Sequence, residues 1–407
     1  MQFKLPNFSN SAFEKTLMYV FMIGLGVFAG MDKIPLLKKI GLFTGEFFID
    51  CFKCISMPVI FLSLIVTFLN YRSTGVMQKL WRHTLKYTLG TTIFAATVSC
   101  LLFIWIRPQN MVVDTPTSSM VPASLSKSYM DYVMHLIPTN FFQPFLENQV
   151  LTILVLAILV GLAIRQIPDQ QARDTVANFF KGLHGILMVL TKWLLRWIPL
   201  AIFGFITTSV ESIHTENSIL GLSQYLTVIV LSNLIQGLVV LPIWLRYKGL
   251  KPFEMMKLMS PALSVAFFSK SSVGTLPLTM DTVEQRLNIS PEVSRFVLPL
   301  CTSINMNGCA AFIFTTVVYL MQNADISLSP FMMVSWVFIA TIAAVGNAGV
   351  PMGCFFLSLS LLVSMNVPIE LMGLILPFYS LIDMVETSLN VWSDCCVLNV
   401  VAKESKN

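Results

Sequence analysis

The chain has 407 residues, of which 55% are hydrophobic and only 12% are charged, and its mean hydropathy is +0.75. Soluble domains carry about twice that share of charged residues, so the composition excludes a water-soluble globule. The apolar content excludes a disordered chain, and the net charge of +5 comes from single Lys and Arg residues that form no basic stripe for nucleic acid. We therefore expect an all-α membrane protein that forms a single membrane domain over 1–407.

Six apolar segments in the first half of the chain are predicted to span the bilayer as helices. In chain order they cover 16–30, 41–70, 84–106, 148–167, 177–209 and 219–245. The residues before the first segment contain no small-residue cleavage pattern, so we expect the first helix to be retained. A stretch rich in Pro, Ser and Thr at 108–127 predicts an external loop.

Two segments in the second half of the chain are apolar but interrupted. Ser, Lys, Gly and Pro interrupt 261–280, and GNAGVP at 346–351 separates the two apolar arms of 331–366. Non-helical backbone at membrane depth is tolerated where it lines a cavity, and paired interrupted segments are typical of transporter binding sites. We therefore predict two re-entrant hairpins, followed by full helices over 294–322 and 369–402. The alternative is that GNAGVP is an aqueous loop between two short helices.

The distribution of Lys and Arg predicts the orientation, because short basic loops lie on the cytoplasmic side. The C-terminal tail is basic, and so are the loops 72–82, 165–181, 246–257 and 286–295; the connections without Lys or Arg are 210–218, 323–330 and 365–370. The first hairpin is therefore expected to enter from the cytoplasm and the second from outside. Both termini are expected to be cytoplasmic, in a multi-pass protein of the cell (inner) membrane. Lys33, Lys38 and Lys39 fall in the first external loop and are an exception to this pattern.

All eight cysteines lie within or beside apolar segments. We therefore expect eight reduced, packed thiols and no disulfide framework. Cys51 and Cys54 form a lone CxxC pair without a second pair or a nearby His, and this pattern gives little support to a metal or redox site.

The last apolar segment carries charged and amide side chains, which are costly at membrane depth and usually mark substrate or ion paths. Asp383, Thr387, Asn390 and Asp394 are spaced four, three and four residues apart, so they lie on one face of a helix, and Glu386 borders that stripe. Three carboxylates so close together need a compensating cation. We predict a bound cation or a substrate ammonium there; the alternative is a polar seam that joins helices.

Two further polar motifs precede the last helix. Ser303–Gly308 offers amide, hydroxyl and backbone oxygens of the kind that sodium binds, or it allows helices to pack around its glycine. Ser269–Ser272 is the predicted tip of the first hairpin, where exposed N–H groups attract a carboxylate. Lys270 in this tip is either a substrate or carboxylate partner or a snorkelling cytoplasmic charge. Charges near predicted helix ends are expected to be snorkelling or structural, namely Glu46, Asp50, Lys53, Lys86, Lys192 and Arg196.

Four motifs, in this order, resemble those of the dicarboxylate/amino acid:cation symporter family, which has the glutamate-transporter fold. They are SKSSVGTLPLTM (269–280), SINMNG (303–308), AGVP (348–351) and DMVETSLNVWSD (383–394). The resemblance extends from Phe52 to Lys403 and includes FKCISMP (52–58). It implies eight transmembrane helices, two opposed re-entrant hairpins, a homotrimer, and a transport part that slides past a static scaffold in an elevator motion.

The resemblance also implies a division of the chain. Residues 1–83 and 148–245 are mostly scaffold, and helix 84–106 joins the transport part. The core transport part, 261–402, consists of hairpin 1 (261–290), helix 7 (294–322), hairpin 2 (331–366) and helix 8 (369–402).

The family pattern implies a substrate site between the hairpin tips and helix 8, with hairpin 2 as a gate. Asp383 takes the substrate ammonium in this pattern, and Thr387 and Asn390 approach its carboxylate. The implied substrate-binding residues are Lys270, Ser271, Ser272, Cys309, Gly349, Val350, Asp383, Glu386, Thr387 and Asn390. The first implied sodium site consists of Cys301, Asn305, Asn390 and Asp394. The second consists of Ser303, Met306, Ala344, Val345 and Asn347, and the third of Thr88, Thr91, Thr92, Asn305 and Asn307.

Three substitutions depart from the family pattern. Members with acidic substrates have Arg where this chain has Glu386, and a second carboxylate there repels glutamate or aspartate. The ETxLN pattern resembles instead the serine/threonine:sodium symporter branch. Asn307 replaces the usual Asp and Cys309 the usual Thr, and the lost carboxylate weakens the case for the third sodium ion.

The predicted function is sodium-coupled symport of a small neutral amino acid such as serine, threonine or alanine, with Na⁺ as coupling ion and no covalent cofactor. Proton coupling through Glu386, a cationic substrate, symport of acidic amino acids or dicarboxylates, a passive channel and a transport-inactive receptor stay open as alternatives. We do not expect an enzyme, because the four His are scattered without HExxH or Ser–His spacing. The expected partners are the substrate, the bilayer and further copies of the chain, and no nucleic acid.

Overall fold

The computed structural model describes residues 12–31, 34–69, 75–111, 140–146, 150–212, 216–347 and 352–405. Every regular element within these ranges is a helix, so the fold is all-α as expected. Four predicted features fall wholly or mainly outside the described residues, namely Gly349, Val350, Lys33 and the loop 108–127.

The first half of the chain forms nine helices in the described residues. They are α1 (Ala12–Gly30), α2 (Pro35–Leu69), α3 (Gly75–Ile106), α4 (Gln143–Leu146), α5 (Val150–Arg165), α6 (Gln170–Arg196), α7 (Ile198–Ser212), α8 (Glu216–Ile235) and α9 (Leu241–Tyr247). A π-helical segment, Gln236–Val240, joins α8 directly to α9. Helix α7 packs against α1 and α2, and α2 also packs against α5.

Two expectations for this half are wrong. The segment 177–209 was expected to be one helix, but α6 ends at Arg196 and α7 begins at Ile198. Pro199 explains the break, because it has no N–H to donate to the preceding turn. Lys38 and Lys39 were expected in a loop but lie in the first turns of α2, which begins at Pro35. Proline is well suited to a first helical position.

The second half of the described chain forms seven helices. They are α10 (Pro252–Ser269), α11 (Ser272–Arg286), α12 (Pro291–Ile304), α13 (Asn307–Asn323), α14 (Pro330–Gly346), α15 (Gly353–Ser364) and α16 (Glu370–Ser405). Helices α10, α12 and α14 each begin with a proline, which is favoured where the backbone N–H has no intrahelical partner.

Helices α10 and α11 pack against each other and form the first hairpin. The chain turns only at Lys270, with a left-handed φ of 54°, and at Ser271, whose Oγ accepts a hydrogen bond from the Gly274 N–H at 3.0 Å. This bond caps the start of α11. Pro261 and Pro277 were expected to interrupt the segment, but both lie inside helices. Only the turn at Lys270–Ser271 ends a helix.

The expected full helix over 294–322 is interrupted. Asn305 and Met306 leave helical geometry, with ψ of 66° at both residues, and separate α12 from α13. The physical reason is tertiary: the Asn305 side chain accepts a hydrogen bond from Thr91 on α3 and donates one to Asp394 on α16, and these bonds hold the unwound turn.

The second interrupted segment also forms two helices. Helix α14 ends at Gly346, where the Asn347 N–H bonds to the Ala344 carbonyl at 3.1 Å. Helix α15 begins after Met352, whose φ is 57°. We call α14 and α15 the second hairpin. The following helix, α16, is continuous from Glu370 to Ser405.

Four helices in the described residues are long and apolar enough to cross a membrane, namely Lys79–Ile106, Leu220–Tyr247, Pro291–Asn323 and Leu371–Ser405. The pair Val20–Gly30 and Pro35–Phe48, bent by 119°, is a fifth if it counts as one span. The remaining apolar helices are shorter. A polytopic helical membrane protein is therefore supported, whereas eight spanning helices stay a prediction.

Helix α13 lies at the centre of the fold. Every residue from Asn307 to Met321 is buried, and α13 packs against α3, α8, α14, α15 and α16. Lipid tails are as apolar as the side chains, so no hydrophobic effect holds helices together in a bilayer. Close packing between helices is therefore what fixes and stabilises their positions. Helix α13 is thereby held between α3, α8, the second hairpin and α16.

Candidate substrate and cation site

A small cavity lies where the two hairpins, the unwound turn before α13 and the middle of α16 meet. Its volume of about 20 Å³ is room for roughly one water molecule. The predicted substrate-binding residues that line it are Lys270, Ser272, Cys309, Asp383, Thr387 and Asn390. The other lining residues are Met306, Asn347, Gly353, Cys354 and Tyr379. Ser271 and Glu386 are not part of the lining.

The polar stripe of α16 is buried, as a functional site at membrane depth requires. Asp383, Thr387, Asn390 and Asp394 are each at most 9% exposed. Thr387 donates a hydrogen bond to Asp383 Oδ1 at 3.4 Å. Asn390 Oδ1 accepts from the Gly308 N–H at 2.8 Å. This bond satisfies one of the free N–H groups at the start of α13. The side chain of Asn390, on α16, therefore caps the N-terminus of α13.

Asn305 is the hub that connects the unwound turn to its neighbours. Its Nδ2 donates to Asp394 Oδ1 and to Ser393 Oγ, both at 2.9 Å. Its Oδ1 accepts from Thr91 Oγ1 at 3.0 Å and from Asn307 Nδ2 at 2.9 Å. Three elements, α3, α13 and α16, therefore meet on one amide side chain.

Gln236 extends this network from the π-helical segment. Its Nε2 donates to Asn307 Oδ1 at 2.7 Å and to the Thr91 carbonyl at 3.0 Å. Gln236 was not among the predicted site residues. Its signal was available, because an amide side chain inside the apolar run 219–245 is costly unless it is paired.

The Asp394 carboxylate is only 1% exposed. It accepts hydrogen bonds from two neutral donors, Asn305 Nδ2 at 2.9 Å and Thr302 Oγ1 at 3.3 Å. Burying a charged carboxylate without a counter-charge is strongly unfavourable. The arrangement is therefore chemically suited to a bound cation, with Asn305 hydrogen-bonded to the carboxylate and Asn390 one turn earlier on α16.

The residues predicted for the second sodium site lie at and beside the cavity. For the second site, Met306 and Asn347 line the cavity, and the Ala344 carbonyl accepts the Asn347 N–H. Ser303 Oγ donates to the Pro299 carbonyl at 3.2 Å.

For the third site, Thr88, Thr91, Thr92 and Asn307 are all buried and uncharged. Thr88 and Thr92 donate to carbonyls of their own helix, at 3.0 and 2.7 Å. Asn307 Oδ1 accepts from Gln236, so a cation there would compete with existing hydrogen bonds.

Lys270 is directed into the site. It lines the cavity, donates a hydrogen bond to Ser380 Oγ on α16, and interacts electrostatically with Asp383. The Lys270 side chain is therefore placed to pair with a carboxylate, and it does not extend away from the site as a snorkelling side chain would.

The structure brings the sulfurs of Cys309 on α13 and Cys354 on α15 into direct contact, so the expectation of eight separate thiols is wrong for these two residues. The pairing was missed because 45 residues separate the two positions and only the fold brings them together. A carboxylate oxygen of Glu386 lies within 4.8 Å of both sulfurs. Among the described residues, neither Glu386 oxygen has a hydrogen-bond partner, and the side chain is 1% exposed.

Gly308 lets α13 approach α16 closely. A Cβ at this position would lie 2.7 Å from the Glu386 Cα and 3.0 Å from its carbonyl oxygen, closer than packed atoms tolerate. The SINMNG motif therefore needs its glycine for helix contact as well as for any role in ion binding.

The sequence profile of the sodium:dicarboxylate symporter family matches residues 16–404, nearly the whole chain. The chain belongs to this family. The family and the relatives that follow are transporters, not enzymes.

Three relatives of known description illustrate the range of the family. Mouse (Mus musculus) neutral amino acid transporter B(0) is 26% identical over 424 aligned residues, covering 91% of this chain and 76% of that protein. The L-cystine uptake protein TcyP of Bacillus cereus is 25% identical, with 85% of this chain and 78% of that protein covered. A putative sodium-dependent excitatory amino acid transporter, glt-4, of Caenorhabditis elegans is also 25% identical, with 89% and 82% covered.

Three of the described lining residues were not predicted, namely Gly353, Cys354 and Tyr379. Tyr379 could have been found, because it lies four residues before Asp383 and thus on the same face of α16. Cys354 had no such signal, because it follows the second hairpin's turn in an unremarkable apolar run.

Proposed function

We propose that this family member is a secondary active transporter that couples the sodium gradient to uptake of a small neutral amino acid. The observation that carries the proposal is the charge around the cavity. Asp383 lines it, and the buried carboxylate of Glu386 lies behind the cavity-lining sulfurs of Cys309 and Cys354. Lys270 is the one basic side chain among the described lining residues.

The two carboxylates favour a substrate with an ammonium group and no additional negative charge. Two unit charges about 4 Å apart repel by about 4 kcal/mol at an effective dielectric constant of about 20. A glutamate or aspartate side chain would meet this repulsion from Glu386, whereas serine, threonine or alanine would not. The mouse relative, which is a neutral amino acid transporter, supports this choice.

We assign the substrate contacts by chemistry. Asp383 binds the substrate ammonium, and Thr387 and Asn390, one and two turns further along α16, bind its carboxylate. Backbone groups of Ser271, Ser272, Gly349 and Val350 complete the substrate site. Lys270 compensates one carboxylate of the stripe.

For the ions, we propose a first sodium at Asp394, Asn305, Asn390 and the Cys301 carbonyl. A second uses the carbonyls of Ser303, Met306, Ala344, Val345 and Asn347. Asn390 belongs to both the first ion site and the substrate cavity, which provides a physical basis for coupling the two. We propose no third ion, because its ligands are neutral and already hydrogen-bonded.

The proposed architecture has eight spanning helices and two re-entrant hairpins in a homotrimer. The second hairpin is a gate, and the part comprising 84–106 and 261–402 moves against the scaffold of 1–83 and 148–245 in an elevator motion. Both termini face the cytoplasm in the cell membrane, because the basic loops cluster on that side.

Acidic amino acids or dicarboxylates are the second candidate substrate class. The observation in their favour is Lys270, a cation within the cavity lining that could pair with an extra carboxylate.

Equilibrium binding tests the choice between the two classes. The purified protein is titrated with serine, threonine, alanine, aspartate, glutamate and lysine, each with sodium and with choline as the replacement cation. The proposal expects the tightest binding for one of the three neutral amino acids, and only with sodium. Tighter binding of aspartate or glutamate would establish the second candidate, and binding independent of sodium would remove the proposed coupling.

A further inference from the structure

Three side chains with metal-binding atoms meet beside the cavity. Cys309 lies in the first turn of α13, Cys354 in the first turn of α15, and Glu386 in α16. The two sulfurs and a carboxylate oxygen of Glu386 all lie within 4.8 Å of one another. A tetrahedral ion with bonds of about 2.0–2.3 Å joins ligands up to about 4 Å apart. One ion therefore reaches all three after small side-chain shifts.

The Glu386 carboxylate is the feature that points to a cation. The side chain is 1% exposed, and within the described part of the chain neither of its oxygens accepts a hydrogen bond. A buried carboxylate without hydrogen bonds is strongly unfavourable, and a cation bound to it offsets this cost. The two cysteine sulfurs beside the carboxylate then determine which kind of cation fits.

Two cysteine ligands favour a soft divalent cation. Thiolates bind zinc, whereas sodium, magnesium and calcium prefer oxygen ligands. Asn347 Nδ2 donates to both sulfurs, at 3.1 and 3.4 Å, and Asn390 Nδ2 donates to the Cys309 sulfur at 3.5 Å. Such N–H donors stabilise the thiolates that a metal binds. The cavity has room for roughly one water molecule, which completes a tetrahedral zinc site with three protein ligands.

We propose that Cys309, Cys354 and Glu386 bind a zinc ion that ties α13 and α16 to the second hairpin. On binding, each cysteine releases its proton to the solvent. The two sulfurs, which are in direct contact here, move to about 3.8 Å apart around the ion. The consequence for transport rests on the proposed function. Zinc holds the second hairpin against α13 and neutralises Glu386, so the zinc-bound form does not transport.

The metal enters through the movement that admits the substrate. Cys309 and Cys354 are 3% and 2% exposed, so the site is closed in this structure. The cavity is too small even for alanine, so the lining elements must separate for any amino acid to bind. An opening that admits an amino acid also admits a zinc ion, and no covalent bond has to break first.

Equilibrium dialysis tests the site without reference to transport. The full chain, without a histidine tag, is purified under a phosphine reductant throughout so that its cysteines stay thiols. It is dialysed in lipid nanodiscs against buffered free zinc, and bound metal is measured by mass spectrometry. We expect one tightly bound zinc per wild-type chain, and binding at least tenfold weaker in Cys354→Ser and in Glu386→Gln. Cys100→Ser removes another buried cysteine and keeps the three ligands, so it should bind zinc as the wild type does.

Cadmium provides a second readout that reports the ligands themselves. Cadmium bound to thiolates absorbs ultraviolet light through sulfur-to-metal charge transfer, whereas cadmium bound to oxygen ligands alone lacks this band. We expect the band in wild type and in Glu386→Gln, and its loss when Cys309 and Cys354 are both replaced by Ser. Zinc binding of equal strength in wild type, Cys354→Ser and Glu386→Gln would overturn the proposal, and so would cadmium binding to wild type without the band.

Uptake into proteoliposomes then tests the consequence for transport. At free zinc of about ten times its Kd, roughly one tenth of the wild-type protein stays free of metal. Uptake of the neutral amino acid is therefore expected to fall about tenfold and to recover once a chelator removes the zinc, while Cys354→Ser keeps its uptake. Unchanged uptake by zinc-loaded wild type would refute the inhibition. Absence of uptake without zinc would instead refute the proposed function, and the dialysis result would still decide whether the zinc site exists.

Discussion

Replacing Asp394 with Asn removes the negative charge of the proposed first sodium site while the size of the side chain stays nearly the same. Asp394 is 1% exposed, and its oxygens accept hydrogen bonds from the neutral side chains of Asn305 and Thr302. The carboxylate is therefore the main source of attraction for a cation. An amide costs less to bury than a carboxylate, so we expect the variant to fold.

The magnitude follows from Coulomb's law. A unit charge about 4 Å from the cation contributes about 4 kcal/mol at an effective dielectric constant of about 20. At about 1.4 kcal/mol per factor of ten, Asp394→Asn is expected to weaken sodium binding roughly a thousandfold.

Thermal unfolding in sodium and in choline, at equal ionic strength, measures this loss. At a sodium concentration about 100 times its Kd, the wild type gains about 2.7 kcal/mol of stability, and the variant at the same concentration gains almost nothing. Asp281→Asn makes the same chemical change at an exposed position on α11 and should keep the wild-type response. A sodium-dependent gain in Asp394→Asn equal to that of wild type would refute the assignment of Asp394 as an ion ligand.

Three further changes have defined outcomes. Glu386→Arg is expected to weaken neutral amino acid binding and permit aspartate binding in competition assays, because it reverses the charge beside the cavity. Gly308→Ala is expected to lower the melting temperature by several degrees, since its Cβ would lie 2.7 Å from the Glu386 Cα and such overpacking costs about 1–3 kcal/mol. Gly182→Ala, where a Cβ meets nothing within 4 Å, is its control. Hydrogen bonds from Arg295 lower the pKa of Glu284 in the folded protein. The Glu284–Arg295 pair therefore stabilises the fold at any pH above the ordinary glutamate pKa. This stabilisation is lost as the pH falls through the lowered pKa of Glu284. Glu284→Gln should reduce that acid dependence in melting curves.

Each of these expectations has a result that contradicts it. No gain of aspartate binding in Glu386→Arg would show that other residues set the substrate charge. An unchanged melting temperature in Gly308→Ala would show that α13 and α16 do not need their close contact. Identical acid dependence in Glu284→Gln and wild type would remove the stabilising role of the Glu284–Arg295 pair.

Both interrupted helix pairs could be predicted from local sequence. Ser, Lys and Gly residues at 269–274, and Gly, Asn and Pro residues at 346–351, disrupt segments that are otherwise apolar. The first pair turns at Lys270–Ser271, within the predicted tip. The spacing of four, three and four residues likewise predicted the buried polar stripe of α16, because helical geometry alone determines which residues share a face.

The unwound turn at Asn305–Met306 could not be predicted in the same way. The polar motif Ser303–Gly308 surrounds it, but the side chains on α3 and α16 that hydrogen-bond to Asn305 are distant in sequence. The hydrogen bond from Thr91 to Asn305 spans 214 positions and that from Asn305 to Asp394 spans 89. The Cys309–Cys354 pairing depends equally on tertiary structure. Local patterns therefore identified most of the site residues, while the contacts that join them required the fold.

The central claim is that sodium drives accumulation of a neutral amino acid, and one measurement tests it most directly. Wild-type protein in proteoliposomes is given radiolabelled serine, threonine or alanine under an inward sodium gradient, and the internal concentration is followed until it is constant. The account predicts that at least one of them rises above its external concentration and returns to it when a sodium ionophore dissipates the gradient. Equilibration without accumulation, or accumulation that a proton gradient drives equally well without sodium, would contradict it.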